Sequence, residues 1–370
     1  METSKLARLK ELALLFLRLG TVAFGGPAAH IAMFEDEVVR RREWLTHEQF
    51  LDLLGVASLI PGPTSTETAV YIGRLRAGLA GIIVAGLCFI LPATIMVTAI
   101  AWAYMRFGEL PRVAGLLYGV KPVVIAVVLQ ALWGLHKAAF KSRFLLGVGV
   151  AALAASVVGV NVLLVLLGTG AFVAVVQGLS RRRHALPSPL LAATPFGLKP
   201  LFLFFLKVGG TVVGSGYVLL AYLRADLVQH YGWLTEGRLL DAIAVGQITP
   251  GPVFTTATFI GYTLAGVPGA AVATLGIFLP SFFYVGLSAP LIPRLRKWAP
   301  AGDFLDGVNV AALALMAVIT WQLGRAAIVD VPTAILAVAA AALLLRFRVN
   351  STWVILGGAA VGLCVKLVIR

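Results

Sequence analysis

Two Pro-Gly-Pro triplets, at residues 61–63 and 250–252, interrupt apolar runs, and hydroxyl residues follow each of them. Proline removes a backbone hydrogen-bond donor and glycine adds conformational freedom, so a helix should break at each triplet and a new helix should begin there. The free N–H groups and the positive dipole end of a helix start can bind an anion. The triplets therefore predict a pair of oxyanion-binding helix starts. The alternative is that both are packing kinks, which membrane helices tolerate.

Basic residues inside apolar segments are the second feature suited to an anion. Arg18 and Lys207 each lie in an apolar run shortly before a glycine cluster. A charge at the centre of a bilayer costs about 2.5–3.5 kcal/mol on insertion scales, so these cations predict a bound dianion that offsets the cost. The alternative is that both side chains snorkel to the interface. Lys121 and Lys366 can likewise be helix-end anchors.

Glu67 is the clearest acidic residue inside an apolar segment. A buried carboxyl without a partner normally takes up a proton, so Glu67 could couple proton binding to anion transport, and an ion pair with Arg18 or Arg74 is the alternative. The candidate substrate-binding residues comprise the matched cations, one glycine pair, both triplets with their hydroxyls, and one later matched pair: Arg18, Lys207, Gly25, Gly26, Pro61, Gly62, Pro63, Thr64, Ser65, Thr66, Pro250, Gly251, Pro252, Thr255, Thr256, Lys121 and Asn309.

The sequence carries no motif for enzymatic chemistry. A P-loop, a Rossmann glycine fingerprint and a nucleophile elbow are all missing, and the five histidines show no i, i+3 or i+4 pairing. Cys88 and Cys364 lie in apolar runs, which indicates buried thiols instead of a disulfide or a metal cluster. We therefore expect neither catalysis nor a metal or other cofactor.

The composition indicates an all-α polytopic membrane protein. Hydrophobic residues make up 60% of the 370 residues, charged residues only 12%, and the mean hydropathy is +0.96. Soluble domains carry roughly 25% charged residues, and about 20 apolar residues are enough for a spanning helix. The formal charge of +14 lies mostly in short loops. It therefore predicts orientation by the positive-inside rule and contact with anionic lipids, not nucleic-acid binding.

The chain consists of two homologous halves, 1–185 and 190–370. A shift of 189 residues aligns the two triplets, places Arg18 on Lys207, and aligns Trp44-Leu45-Thr46 with Trp233-Leu234-Thr235. After the loss of one residue, a shift of 188 aligns Leu91-Pro92 with Leu279-Pro280 and Lys121 with Asn309. Matched Gly, Pro and Trp positions over this length indicate an internal duplication.

Each half contains six apolar segments, of which the second is broken by its triplet. If the broken segment turns back, the halves are inverted, with about ten spanning helices and two re-entrant or discontinuous ones. The inverted arrangement divides the loop Lys and Arg residues 17 to 9 between cytoplasm and exterior, whereas a parallel arrangement divides them 14 to 12. The positive-inside rule therefore favours inversion. The segments lie near 10–29, 50–73, 77–105, 113–136, 144–158 and 160–180, and near 199–223, 239–262, 267–290, 304–324, 327–345 and 351–369.

Three stretches resemble the chromate transporter (chromate ion transporter, CHR) family in its long-chain, two-domain form: Phe24-Gly25-Gly26-Pro27, Glu35 to Trp44, and Leu59-Ile60-Pro61-Gly62-Pro63. The resemblance covers nearly the whole chain. It implies a multi-pass plasma-membrane protein that exports chromate, with sulfate as a related or competing oxyanion. Broken helices in inverted halves favour alternating access. Transport of sulfate or another oxyanion, an anion channel and a homodimer stay open.

The second half departs from the family pattern found in the first. Gly25-Gly26-Pro27 is replaced by Gly214-Ser215-Gly216, and Glu67 is replaced by Thr256. We therefore expect the two halves to contribute unequally to transport.

Overall fold

The computed structural model describes residues 4–23, 26–57, 60–108, 111–140, 142–178, 196–212, 218–288, 299–347, 349 and 351–368. These residues are predominantly helical and contain no strand, which confirms the all-α expectation. The helices are α1 (Lys5–Val22), α2 (Gly26–Glu35), α3 (His47–Ala57), α4 (Thr64–Phe107), α5 (Pro111–Ala139), α6 (Arg143–Val157), α7 (Val162–Gly178), α8 (Leu198–Thr211), α9 (Val218–Tyr222), α10 (Glu236–Ile248), α11 (Thr256–Ser288), α12 (Ala299–Ala327), α13 (Val331–Leu345) and α14 (Ser351–Val368).

Three helical stretches are long and apolar enough to cross a membrane: Thr64–Phe107, Val253–Leu287 and Asp306–Ala327. Shorter apolar helices of 10–17 residues accompany them, including Arg143–Val157 and Val331–Leu345. A membrane protein is therefore confirmed by length and composition, whereas the number of spans and the inversion of the halves stay predictions.

The helices α4 and α11 are each two helices joined by a sharp reversal. The backbone leaves helical geometry at Ala77-Gly78, where Gly78 has φ +68°, and again at Ala265-Gly266, where Gly266 has φ +62°. A Cβ atom on Gly73 or on Gly81 would overlap the carbonyl oxygen of the other glycine. Eight residues of straight helix span about 12 Å, so this contact requires the chain to fold back on itself. Gly261 and Gly269 make the same contact in the second half.

The repeat is visible in local hydrogen bonding. A π-helical turn at Asp36–Arg41 is followed by hydrogen bonds from Arg42 N–H to Glu37 C=O and from Leu45 N–H to Val38 C=O. A π-helical turn at Leu223–His230 is followed by the equivalent bonds, from Tyr231 to Asp226 and from Leu234 to Leu227. The two halves thus share an uncommon backbone feature in the same register.

The chain forms two compact units, and each unit contains helices from both sequence halves. The first comprises Met1–Leu110, Gly197–Gly216 and Ala242–Ile292, and in it α4 packs on α1 and α11 while α11 packs on α8. The second comprises Pro111–Phe196, Tyr217–Asp241 and Pro293–Arg370, and in it α5 packs on α12, α13 and α14 while α12 packs on α6 and α7. Both triplets lie in the first unit.

Candidate functional site

Each Pro-Gly-Pro triplet is hydrogen-bonded to the end of the first helix of the opposite half. The Gly62 N–H donates to the Val212 carbonyl at 2.6 Å, and the Gly251 N–H donates to the Ala23 carbonyl at 2.9 Å. Ala23 and Val212 are the C-caps of α1 and α8. The shift of 189 residues that maps Gly62 onto Gly251 also maps Ala23 onto Val212. The two bonds, which we call the crossovers, are therefore related by exchange of the halves.

Glycine is required at the centre of both triplets. Gly62 has φ +136° and Gly251 has φ +87°, both in the region that favours glycine. A Cβ atom at Gly62 would overlap the Glu67 carboxyl and lie 2.6 Å from Ser281 Oγ. At Gly251 it would lie 2.7 Å from Ala93 Cβ. The triplets are thus packed against neighbouring helices with no space for a side chain.

A new helix begins after each triplet, as the sequence predicts. Pro63 is the N-cap of α4, one residue before its first helical residue, Thr64. Pro252 is the N-cap of a short 3-10 turn, Val253–Thr255, that leads into α11. The first N–H groups of a helix have no intrahelical acceptor, so both starts present backbone donors and a positive dipole end.

The hydroxyl residues differ between the two helix starts. Thr66 is fully buried, and its Oγ1 has no hydrogen-bond partner among the described residues. Thr255 and Thr256 are also fully buried, but their hydroxyls donate to the carbonyls of Pro252 and Val253 at 2.8 Å. The first start therefore has a threonine hydroxyl that makes no internal hydrogen bond, whereas the threonine hydroxyls of the second start already donate to backbone carbonyls.

Glu67 lies in the first turn of α4 and is fully buried. Within the described ranges, neither of its carboxyl oxygens has a partner with hydrogen-bond geometry, and the same holds for the Ser281 hydroxyl. The expected alternative of an ion pair with Arg18 is not found, because Arg18 contacts Glu37 instead.

Arg18 and Lys207 each lie five residues before the C-cap that accepts a crossover bond. The Arg18 side chain is 60% exposed, and its Nη1 is 3.3 Å from Oε1 of the buried Glu37. Glu37 also binds Arg41 and Arg42, at 3.1 and 3.3 Å. Lys207 is half-buried on α8. Both cations thus belong to the unit that contains the triplets.

Of the other candidate residues, one glycine is not described and two residues lie in the second unit. Gly25 lies outside the described residues, and Gly26 begins α2 with φ +75°. Lys121 and Asn309 lie in the second unit, where the Lys121 ammonium is 3.1 Å from Oδ1 of the buried Asp241. Lys121 is therefore engaged by an internal carboxylate, which its sequence environment did not indicate.

Two polar residues near the crossovers were not singled out from the sequence. His30 is buried, and because a carbonyl can only accept, its Nε2 donates to Ala23 at 3.0 Å, the same carbonyl that accepts from Gly251. Ser281 faces Gly62 from α11. The repeat could have drawn attention to Ser281, because the equivalent residue in the first half is Ala93. Only one of the two halves therefore carries a hydroxyl at this position.

Comparison with known proteins matches both halves of the chain to one family. A family model described as "Chromate transporter" matches residues 10–175 and again 199–363. The chain is 34% identical to a chromate transport protein of Cupriavidus metallidurans, covering 95% of this chain and 92% of the relative. It is 30% identical to a chromate transport protein of Pseudomonas aeruginosa, covering 86% and 82%. No solved structure matches.

Proposed function

This chain belongs to the chromate transporter family, and we propose that it moves chromate across the plasma membrane by binding the dianion at the two helix starts that follow its triplets. The names of the similar proteins support the substrate. The observation that supports the site is the pair of exchanged crossover bonds, which brings both triplets into one compact unit.

Backbone donors, one hydroxyl and two cations form the proposed binding surface. A helix dipole end contributes only about 0.3–2 kcal/mol, so neither start alone would hold a dianion stripped of water. The Thr66 hydroxyl adds a donor without an internal partner. Arg18 and Lys207 supply positive charge from equivalent positions on α1 and α8. We assign sulfate as a competing substrate, because it has the same tetrahedral shape and charge.

We assign efflux by alternating access as the mode of transport. Helices broken in the middle of the bilayer and internal repeats are typical of secondary transporters with a central substrate site. The loop charges favour inverted halves, and the exchanged crossovers fit a two-fold relation between them. Inversion would bring the two helix starts towards the anion from opposite leaflets.

Radiolabelled flux in proteoliposomes tests the proposal. We expect the proteoliposomes to take up labelled chromate, and we expect unlabelled chromate on the opposite side of the membrane to accelerate this uptake. Sulfate should inhibit it. Flux without this acceleration would indicate a channel. Inhibition by sulfate without chromate flux would show that a different oxyanion is the substrate.

A further inference from the structure

Three buried side chains lie at the first triplet or in the helix turn that follows it, and we call Glu67, Thr66 and Ser281 the Glu67 cluster. Each is 0% exposed. In the described part of the chain, neither carboxyl oxygen and neither hydroxyl oxygen makes a hydrogen bond of standard geometry, although the Ser281 hydroxyl faces the Glu67 carboxyl. Burying a polar group without a partner is costly, and a buried charge is more so. Several such atoms near one helix start need an explanation beyond packing.

The second half shows that the fold itself does not require the cluster. The residues equivalent to Thr66, Glu67 and Ser281 are Thr255, Thr256 and Ala93. Both threonines donate to nearby carbonyls, and alanine has no polar side-chain atom. The equivalent crossover, from Gly251 to Ala23, thus forms beside two threonines whose hydroxyls are both hydrogen-bonded. The acid in the first half is therefore an addition to the fold.

No charged side chain neutralises Glu67 within the described residues. The elements packed against α4 are α1, α2, α3, α11 and the 3-10 turn. Their charged groups are engaged elsewhere or form no ion pair with Glu67. In these elements Arg18 contacts Glu37, Glu11 contacts Arg76, Glu35 contacts His47, His30 contacts Ala23, and Tyr284 contacts Gly210. The group of α11 that faces Glu67 is Ser281.

We propose that Glu67 binds a proton that is taken up together with the oxyanion, one proton for each anion. This inference rests on the proposed anion site. The start of α4 offers a single positive dipole end, which can stabilise either an ionised Glu67 or a bound dianion. The two negative groups repel strongly away from water, so the anion binds when the carboxylate has become a carboxylic acid. The proton comes from the aqueous phase, and no covalent bond other than the O–H bond forms.

Proton counting on the full-length protein in detergent tests this proposal. Chromate is added to weakly buffered protein at pH 7.5 to 8.5, and a pH indicator reports protons taken up per chromate bound. We expect the wild type to take up about one proton more than Glu67→Gln. Chromate's own titration cancels in this difference. Glu48→Gln, which changes an exposed acid on α3, should behave as the wild type.

The pH dependence of affinity gives a second readout. For one linked proton, the Kd of the wild type should rise about tenfold for each pH unit, relative to Glu67→Gln. Equal proton uptake and equal slopes in the two proteins would overturn the coupling role and leave the chromate site intact. If Glu67→Gln fails to fold, the wild type still gives a test. Chromate binding to the wild type without any proton uptake by the protein would overturn the coupling role and leave the proposed function intact. Absence of chromate binding by all folded proteins would overturn the proposed function as well.

Discussion

Arg224 and Glu236 form a two-point ion pair, with Nη2 2.6 Å from Oε1 and Nε 3.2 Å from Oε2. Their repeat equivalents are Glu35 and His47, which also pair, at 3.2 Å between Nδ1 and Oε1. The two halves thus keep a contact between an acidic and a basic residue at the same positions, with the acidic and basic members exchanged. Such an exchange indicates that the contact, and not the identity of either residue, is what the fold requires.

The first prediction concerns this ion pair. Glu236→Gln should lower the free energy of unfolding by about 1.5–3 kcal/mol, because it leaves the largely buried Arg224 with a neutral partner. The double variant Arg224→Glu/Glu236→Arg should recover part of the loss. Thermal unfolding in detergent measures both. Glu35→Gln is the control and should cost under about 1 kcal/mol, because His47 is exposed. Equal losses in the two halves would contradict the prediction.

The second prediction concerns the triplet glycines. Gly62→Leu and Gly251→Leu should each abolish chromate transport, because any side chain at these positions overlaps neighbouring atoms. Flux in proteoliposomes measures the loss. Gly147→Leu, in α6 with no atom within 4 Å of an added Cβ, is the control and should transport normally. Transport by either triplet variant at the control's rate would show that the triplets are not part of the site.

The third prediction separates the two helix starts. Thr66→Val should weaken chromate binding by about 0.5–1.5 kcal/mol, or roughly two- to tenfold, because it removes a hydroxyl that has no internal partner. Thr255→Val removes a hydroxyl that already donates to Pro252, so it should act mainly on stability. Binding titrations and melting temperatures, measured with and without chromate, distinguish these effects. A larger loss of affinity in Thr255→Val would reverse the assignment.

The fourth prediction concerns the matched cations. Arg18→Gln and Lys207→Gln should each reduce affinity for chromate ten- to a hundredfold while membrane insertion stays normal. Loss of Arg18 should not unfold the protein, because Glu37 keeps Arg41 and Arg42. Lys121→Gln is the comparison: it removes the cation that pairs with the buried Asp241, so it should lower stability instead of affinity. An unchanged affinity in Arg18→Gln or Lys207→Gln would identify that residue as a helix anchor.

The fifth prediction concerns topology. Single cysteines introduced at 181–189 and 294–297 should be protected from an impermeant reagent applied outside the cell, whereas cysteines at 106–112 should react. The native Cys88 and Cys364 are removed first. Labelling of 181–189 from outside would contradict the inverted arrangement.

The helix starts and the repeat could be predicted from the sequence because both depend on local residue types. A Pro-Gly-Pro triplet interrupts a helix through its own residue types, whereas single prolines such as Pro92 and Pro280 lie inside helices, and a duplication is visible as matched residues. The reversals at Gly78 and Gly266 lie within a few residues of the predicted segment boundaries at 73–77 and 262–267, and the sequence did not show which residue turns the chain.

The contacts of the site could not be predicted because they depend on packing. The pairing of Arg18 with Glu37 joins residues that only the folding of α1 against the π-helical turn brings together. The helical start at Val253–Thr255 places the Thr255 hydroxyl next to the Pro252 carbonyl, so a side chain that appeared available in the sequence is internally bonded. Glu67 was recognised from its apolar surroundings, but its lack of a partner required the structure.

The crossover bonds constrain how such a protein can have evolved. A gene encoding only one half would produce a triplet whose N–H lacks its acceptor, since that carbonyl belongs to the other half. Two copies would have to associate, each completing the other, before either could fold fully. Fusion of the duplicated gene places donor and acceptor on one chain, and it frees each half to change separately. The acid at position 67 and the threonine at 256 are the kind of divergence that a symmetric pair of identical subunits could not acquire.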